Sequence, residues 1–498
     1  MSALHTLTLA QAAIAVRERR ASAVELLDAV IARANAIQPA TNAFIRIDEH
    51  LARSQAVIAD SEAARGQFRG PLHGVPMAHK DMYYRTGVIS SCGSRIKRDV
   101  VATATATALE RLDAAGAIQF GVLNMAEFAY GPTGHNYHFG HARNPWNLDY
   151  ITGGSSSGSG AAVAARASFA ALGSDTGGSI RAPAAFCGVT GLKVTYGRVS
   201  RAGAMPLSFS MDTVGPLART AEDCAMLLAA LAGADPRDST ASSAPVPDYV
   251  GRLARPVAGL RVGVPRQYFS DDLDASIAKA LDEARRVLAG LGCAVVPIDI
   301  PDLAAADVAG THIIAAEAAA LHGHWMRTRP QDYSQQVRAR LERGLALPAT
   351  RYIDALRYRG VMIDEFVRTV FSNVDVLHVP ALPIATPTIA ETDVTAGGAM
   401  DRTLALVTKF TRPFNFLGLP SLALPCGIQP SGIQPSEIRP SGIRPSGIRP
   451  SGMQPTGLPS GLPLGMQLVG RPFAEDVILQ LGHAYQQATD WHSRAPAL

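Results

Sequence analysis

The chain has 498 residues, 47% hydrophobic and 18% charged, with a formal net charge of +4. These figures are ordinary for a globular protein with a large core. Lysine and arginine are scattered, densest at Arg17–Arg20, so no nucleic-acid footprint is expected. Five cysteines (Cys92, Cys187, Cys224, Cys293, Cys426) are odd in number and form no C-x-x-C pair. That argues for a reducing compartment, the cytoplasm, and against a disulfide frame or zinc knuckle. The opening residues lack a basic region before their apolar part and so make a poor signal peptide. No run of about 18 uninterrupted apolar residues predicts a membrane span.

Taken in order, residues 9–38 read as two helices, the second capped by Ser22 with Glu25. Ala43–Ile47 reads as a short strand and Glu49–Arg65 as an alanine-rich helix ended by Gly66. Val75–His79 is a β-like run delivering Lys80 at its end. Thr105–Ala115 is a helix and Ala117–Leu123 a strand, followed by an irregular loop over Glu127–Asn147. Gly158–Arg166 is a helix of small residues, and Phe169–Gly173 a strand. Beyond Pro216 helices and strands alternate: helix Ala221–Ala232, strand Leu260–Val264, helix Ala275–Leu291 and strand Ala294–Ile298. Helices follow at Ala304–Arg327, Ser334–Leu345 and Ala349–Phe371, then strands at Asp375–Val379, Ser421–Pro425 and Leu464–Val469. Such alternation predicts an α/β fold around a mostly buried sheet.

Between the last two strands stands a five-residue repeat, GIQP-SGIQP-SEIRP-SGIRP-SGIRP-SGMQP-TGLPSG. Proline in every copy excludes a helix or central strand, and the period is too short for a solenoid. Gly427–Gly461 is therefore read as an expanded surface loop.

Chemistry concentrates in Ile151–Pro183, ITGGSSSGSGAAVAARASFAALGSDTGGSIRAP, which holds two Gly-Gly-Ser turns. Glycine beside serine brings backbone N–H groups and a hydroxyl close to a ligand. Ser179 follows Asp175-Thr176-Gly177-Gly178, whose N–H groups can converge on one oxygen. Losing one such donor typically removes about 3–4 kcal/mol of transition-state stabilisation. A serine nucleophile also needs a base. Lys80, neutral if desolvated, is one candidate, with Ser155 relaying the proton; a histidine distant in sequence is another. Ser156 also satisfies G-x-S-x-G, but Asn147–Thr152 does not read as the strand an α/β-hydrolase elbow requires. Gly153–Gly160 lacks the Gly-Lys-Ser/Thr of a phosphate loop. His135, His138 and His141 have ligand-like spacing without a carboxylate or cysteine, and lining the substrate mouth is the alternative role. Cys187 and Cys426 read as packing residues.

Three stretches, HGVPMAHKD, GGSSSGSGAAVAA and GSDTGGSIRAPAAFCGVTGLKVTYGRVS, resemble the amidase signature family of amide hydrolases. The separations agree, 75 residues from Lys80 to Ser155 and 24 from Ser155 to Ser179. Weaker similarity recurs at NFLGLPSLALPCG and GLPLGMQLVGRPF. The resemblance implies one α/β/α domain with a twisted mixed sheet: a helical layer over 1–68, the signature core over 69–220, substrate-side helices within 221–426, the repeat over 427–461, and a last strand and helix over 462–498. It implies Ser179 as nucleophile, Ser155 as a relay serine after a cis peptide bond, and Lys80 as base and later acid. The N–H groups of Thr176, Gly177, Gly178 and Ser179 would form the oxyanion hole. Ser156, Asp175 and Arg181 would brace it, and Gly131, His135 and Arg359 would contact substrate. No metal or organic cofactor is implied.

The expected reaction converts a small-molecule amide to acid and ammonia or amine, in a stand-alone enzyme or homodimer. The alternative is the glutaminase subunit of a tRNA-dependent amidotransferase, working with partner subunits. The resemblance places an acid for glutamine's ammonium shortly before the asparagine of RPFNFLGLP; the matching position here is Thr408.

Overall fold

The apolar runs bounded by glycine and proline become strands of one sheet. In the computed structural model, which describes residues 4–429 and 461–498, these are β1 (Phe44–Ile47), β2 (Pro76–Lys80), β3 (Ile118–Leu123), β4 (Ala170–Asp175), β5 (Thr190–Lys193), β6 (Thr213–Ala218), β7 (Arg261–Pro265), β8 (Ala294–Ile298), β9 (Val376–Pro380), β10 (Ser421–Ile428) and β11 (Pro463–Gly470). Their order is β1-β3-β2-β4-β6-β5-β10-β11-β9-β7-β8. The β2–β3, β2–β4, β7–β8 and β7–β9 pairs are parallel and the other pairs antiparallel. This is an α/β fold, a mixed sheet with helices around it. Every residue of β2, β3, β4, β6, β9 and β11 is buried, whereas the edge strand β8 is largely not. Strands covered on both faces carry continuous apolar runs instead of alternation, which is why these segments are legible.

The predicted helices form within a few residues of their expected ends. Ser22 caps the second as read: its Oγ accepts from Glu25 N–H at 3.1 Å, and Glu25 Oε2 accepts from Ser22 N–H at 2.8 Å. Strands β5 and β6 and the helix Arg181–Cys187 were not expected, because Gly191, Gly215, Pro183 and Pro216 read locally as turn residues. Their glycines serve close packing: a Cβ on Gly191 would lie 2.7 Å from that of Ala184 on the overlying helix. The helices Gly398–Lys409 and Arg412–Phe416 were likewise unread.

The expected strand Ser421–Pro425 runs on to Ile428. Pairing with β5 ends at Ala423, so Pro425 lies beyond that ladder, and a bulge between Pro425 and Gly427 carries the strand past it. Apart from its ends the pentapeptide repeat lies outside the described residues. Gln429 N–H donates to the Leu462 carbonyl at 2.8 Å, so the flanks of the repeat are paired neighbours.

Helix Leu303–Thr328 is long and apolar enough to cross a membrane by length and composition. Half of its most apolar window is buried inside the fold. It packs against the helices Gln335–Leu345, Ala349–Val370 and Arg412–Phe416, forming a layer that faces the C-terminal ends of β2 and β4.

Candidate active site

Lys80 closes β2 and Asp175 closes β4, its parallel neighbour, so both side chains reach the same end of the sheet. The small-residue helix Ser157–Ala164 brings the first Gly-Gly-Ser turn to that end. It needs glycine at 158, where a Cβ would sit 2.2 Å from the Ala43 carbonyl oxygen. Gly154 N–H donates to the Pro132 carbonyl at 2.7 Å and Ala126 N–H to the Ser155 carbonyl at 3.1 Å, fixing the turn. The Gly154–Ser155 peptide bond is cis.

Lys80 is completely buried, with Nζ 2.7 Å from Ser155 Oγ, 2.9 Å from Ser174 Oγ and 3.1 Å from Ser156 Oγ. Burial lowers its pKa to about 7, against the opposing pull of Asp175 and Asp212. A lysine with that pKa is half neutral near pH 7 and can take a proton from a hydroxyl it touches. Ser156 is spoken for by this contact and by the Ser174 backbone, and no strand precedes it, so it is not a hydrolase elbow. Ser174, which sequence reading missed, is the third hydroxyl around Nζ. Its only signal was its place beside Asp175 at the end of a strand parallel to β2.

Asp175 organises the second turn. Burial alone would raise its carboxyl, but the Arg181 guanidinium beside it, with Lys193 and Asn415, holds it well below the usual carboxylate range. Both side chains are fully buried and Nη2–Oδ1 is 3.0 Å. Asp175 accepts from the N–H groups of Gly178 at 2.8 Å and Ile180 at 3.1 Å. Arg181 is fixed in turn by Asn415 Oδ1 at 2.6 Å and Gln467 Oε1 at 3.1 Å. Gly178 is thereby a correction: its N–H is consumed by Asp175, and Gly178 does not line the cavity. The N–H groups of Thr176, Gly177 and Ser179 have no acceptor among the described residues, and these three residues line the cavity. Three unpaired donors there suit a developing oxyanion. Asp212, also missed, accepts from Thr176 Oγ1 at 2.6 Å and steadies this turn from behind.

The cavity has a volume of about 510 Å³, within the range of small-molecule sites. Ser179, only 9% exposed, forms part of its floor. Ser179 Oγ makes no hydrogen bond to Ser155 Oγ in this structure, so the Lys80–Ser155 leg is formed and the second leg is open. Tyr130, Gly131 and Pro132 line one wall; Thr311, His312, Ile314 and Ala315 line another. Arg340, Arg343, Asp401, Thr408 and Arg412 supply its charged and polar rim.

A profile of the amidase family matches residues 25–479. The chain belongs to the amidase signature family. A glutamyl-tRNA(Gln) amidotransferase subunit from Roseiflexus sp. (strain RS-1) is 40% identical, with 100% of this chain and 99% of that one aligned. A solved structure described as a vestigial protein complex, revealing the origins of an s-triazine catabolic enzyme, superposes with TM-score 0.84 at 34% identity, covering 97% of this chain and 98% of that one. A 6-aminohexanoate cyclic dimer hydrolase complexed with substrate also gives TM-score 0.84, at 27% identity and 99% coverage of both chains.

Within this amidase fold two of the residues expected to contact substrate, Arg359 and His135, do not line the cavity. Arg359 donates to the Phe416 carbonyl at 2.6 Å and the Ser210 carbonyl at 2.8 Å and does not reach the cavity; it clamps backbone beneath it. His135 is buried outside the cavity, with Nε2 2.9 Å from Thr392 Oγ1 and its ring against His141. Burial lowers its pKa to about 4, so it is neutral. His138 lies 2.9 Å from Glu127 Oε1, and His141 Nδ1 contacts the Asn136 backbone. Each histidine thus has its own partner, and the described residues hold no group of three metal-ligating side chains. Gly131, the third residue expected to contact substrate, lines the cavity wall.

Proposed function

We propose that this chain hydrolyses a carboxylic acid amide through an ester on Ser179. Neutral Lys80 accepts a proton through Ser155 Oγ as Ser179 Oγ attacks the carbonyl carbon. The carbonyl oxygen, now negative, is received by the N–H groups of Thr176, Gly177 and Ser179. The C–N bond then breaks, and Lys80 returns its proton through Ser155 to the leaving nitrogen, releasing ammonia or amine. Water, deprotonated along the same path, attacks the Ser179 ester and releases the acid. The observation that carries this reading is the wholly buried Lys80 Nζ held 2.7 Å from Ser155 Oγ. The open Ser155–Ser179 leg closes when substrate fills the cavity, since catalytic hydrogen bonds tighten on binding. All five cysteines are buried thiols without disulfides, which supports work in a reducing compartment, the cytoplasm.

A second reading makes the chain the glutaminase subunit of a tRNA-dependent amidotransferase, feeding ammonia to partner subunits. The name of the 40% identical, full-length relative favours it over stand-alone hydrolysis. Thr408 lines the cavity without a charge, but Asp401, two helical turns earlier on the same helix, lines it too and offers glutamine's ammonium a carboxylate.

Ammonia release is assayed for wild type and Ser179→Ala, with mass spectrometry of the trapped acyl-enzyme. We expect wild-type turnover, an acyl adduct on the Ser179 peptide, and a loss of at least about a thousandfold in the variant. A Ser179→Ala protein working at near wild-type rate overturns the mechanism. Copurification of partner subunits with glutamine as the only productive donor selects the second reading. Turnover of simple amides by the isolated chain selects the first.

A further inference from the structure

Three arginines line the cavity, and they are not equivalent. Arg412 Nη1 pairs with Asp307 Oδ1 at 2.7 Å, and Arg343 Nη2 lies 3.9 Å from Asp401 Oδ2. Arg340 has no carboxylate partner among the described residues. Its Nη1 donates to the Tyr130 carbonyl and its guanidinium sits 5.6 Å from the Tyr130 ring centre. Its other N–H groups meet no protein acceptor among the described residues. Burial is the main influence on this group and disfavours its charge. A part-buried guanidinium without a counter-ion is unfavourable, and an anion that completes its planar fork is correspondingly favoured.

The wall beside it is cut back. A Cβ on Gly131 would stand in van der Waals contact with Arg340 Nη1, 3.7 Å away, so glycine leaves more room beside the guanidinium than a larger residue would. The single carboxylate on the cavity rim, Asp401, already faces Arg343. Three arginines against Asp401 and Asp307 leave the site with an excess of positive charge, and Arg340 is the lining arginine with no carboxylate in ion-pair reach among the described residues.

We propose that Arg340 is a specificity-determining residue, that the substrate is an amide bearing a carboxylate, and that this carboxylate binds the Arg340 guanidinium while its amide carbonyl lies over Ser179. This rests on the amide-hydrolysis reading above and names its substrate class: a monoanionic acid amide such as glutaramate or succinamate, in preference to neutral or zwitterionic ones.

The test compares kcat/KM on glutaramate, its neutral counterpart valeramide, and glutamine, in wild type, Arg340→Gln and Arg340→Lys. Wild type should prefer glutaramate to valeramide by at least tenfold. That ratio should collapse towards unity in Arg340→Gln through a raised KM and be partly restored in Arg340→Lys. A merely structural role for Arg340 would lower all substrates together and leave the ratio unchanged, which overturns the proposal. So does a wild-type preference for valeramide or for glutamine. Glutaramate binding to Ser179→Ala protein, measured by calorimetry with and without Arg340→Gln, reads the same contact without turnover. Tight, Arg340-dependent binding with no hydrolysis of any amide would sink the reaction and keep the anion site; hydrolysis without that dependence would do the reverse.

Discussion

At the scale of single residues the decisive quantity is the protonation of Lys80. Its folded-state pKa of about 7 lies below the ordinary lysine value because burial disfavours the ammonium. Acting as a base it must be neutral, so kcat/KM should rise with pH through about 7 and then level, which a pH–rate profile checks. Lys80→Ala should lose activity at least about a thousandfold while circular dichroism stays native. The same shift makes a stability prediction. Between about 7 and the unfolded value near 10.4 the unfolded chain holds a proton that the folded chain has lost, so stability rises with pH across that window. Lys193, lowered to about 7 by burial, contributes alike. Urea midpoints at pH 7 and 9.5 should therefore rise less in Lys80→Met than in wild type. An equal rise in the two proteins would show that burial does not lower the Lys80 pKa.

At the scale of elements, the Asp175 turn binds strand, helix and cavity into one unit. Arg181 joins it to Asn415 of the helix Arg412–Phe416 and to Gln467 of β11. Removing one partner of a buried ion pair leaves the other uncompensated, at about 3–5 kcal/mol. Arg181→Met should lower the unfolding free energy read from urea titration by that order and take activity with it. Gly178 has φ +127°, and a Cβ there would lie 2.3 Å from Thr411 Oγ1. Gly178→Ala should therefore displace the unpaired N–H groups on either side and cut kcat at least about tenfold, with a smaller change in KM. A wild-type kcat in that variant would mean that the turn's backbone does not receive the oxyanion.

For the whole molecule, the eleven-stranded sheet carries the site at the C-terminal ends of two parallel strands, while helices from the second half of the chain close the cavity. The repeat between β10 and β11 interrupts none of this, because its flanks are already hydrogen-bonded across the ladder. Deleting Gly432–Pro455 should leave kcat within about twofold and the thermal midpoint nearly unchanged, since changing the length of a connection between paired flanks changes closure entropy only slowly. A large fall in kcat would give the repeat a functional role.

The family and most of the architecture were legible in the sequence for a local reason. Gly-Gly-Ser turns, the Lys80 strand end and apolar runs with clear boundaries are short-range patterns, and the family resemblance fixed their joint spacing. What the sequence hid depends on distant neighbours. β5 and β6 look like turns until Ala184 of the overlying helix packs on Gly191 and strand β5 packs on Gly215. Gly178 looks like a free donor until Asp175 folds back onto it. Arg359, a plausible carboxylate binder by position, is spent on two carbonyls, whereas nothing local marks Arg340 as the cavity arginine left without a carboxylate among the described residues. Residue types and their spacing determined the family and the stretches that meet around Lys80; which charges remain unmatched beside them was decided by tertiary packing, because pairing is a property of space and not of sequence.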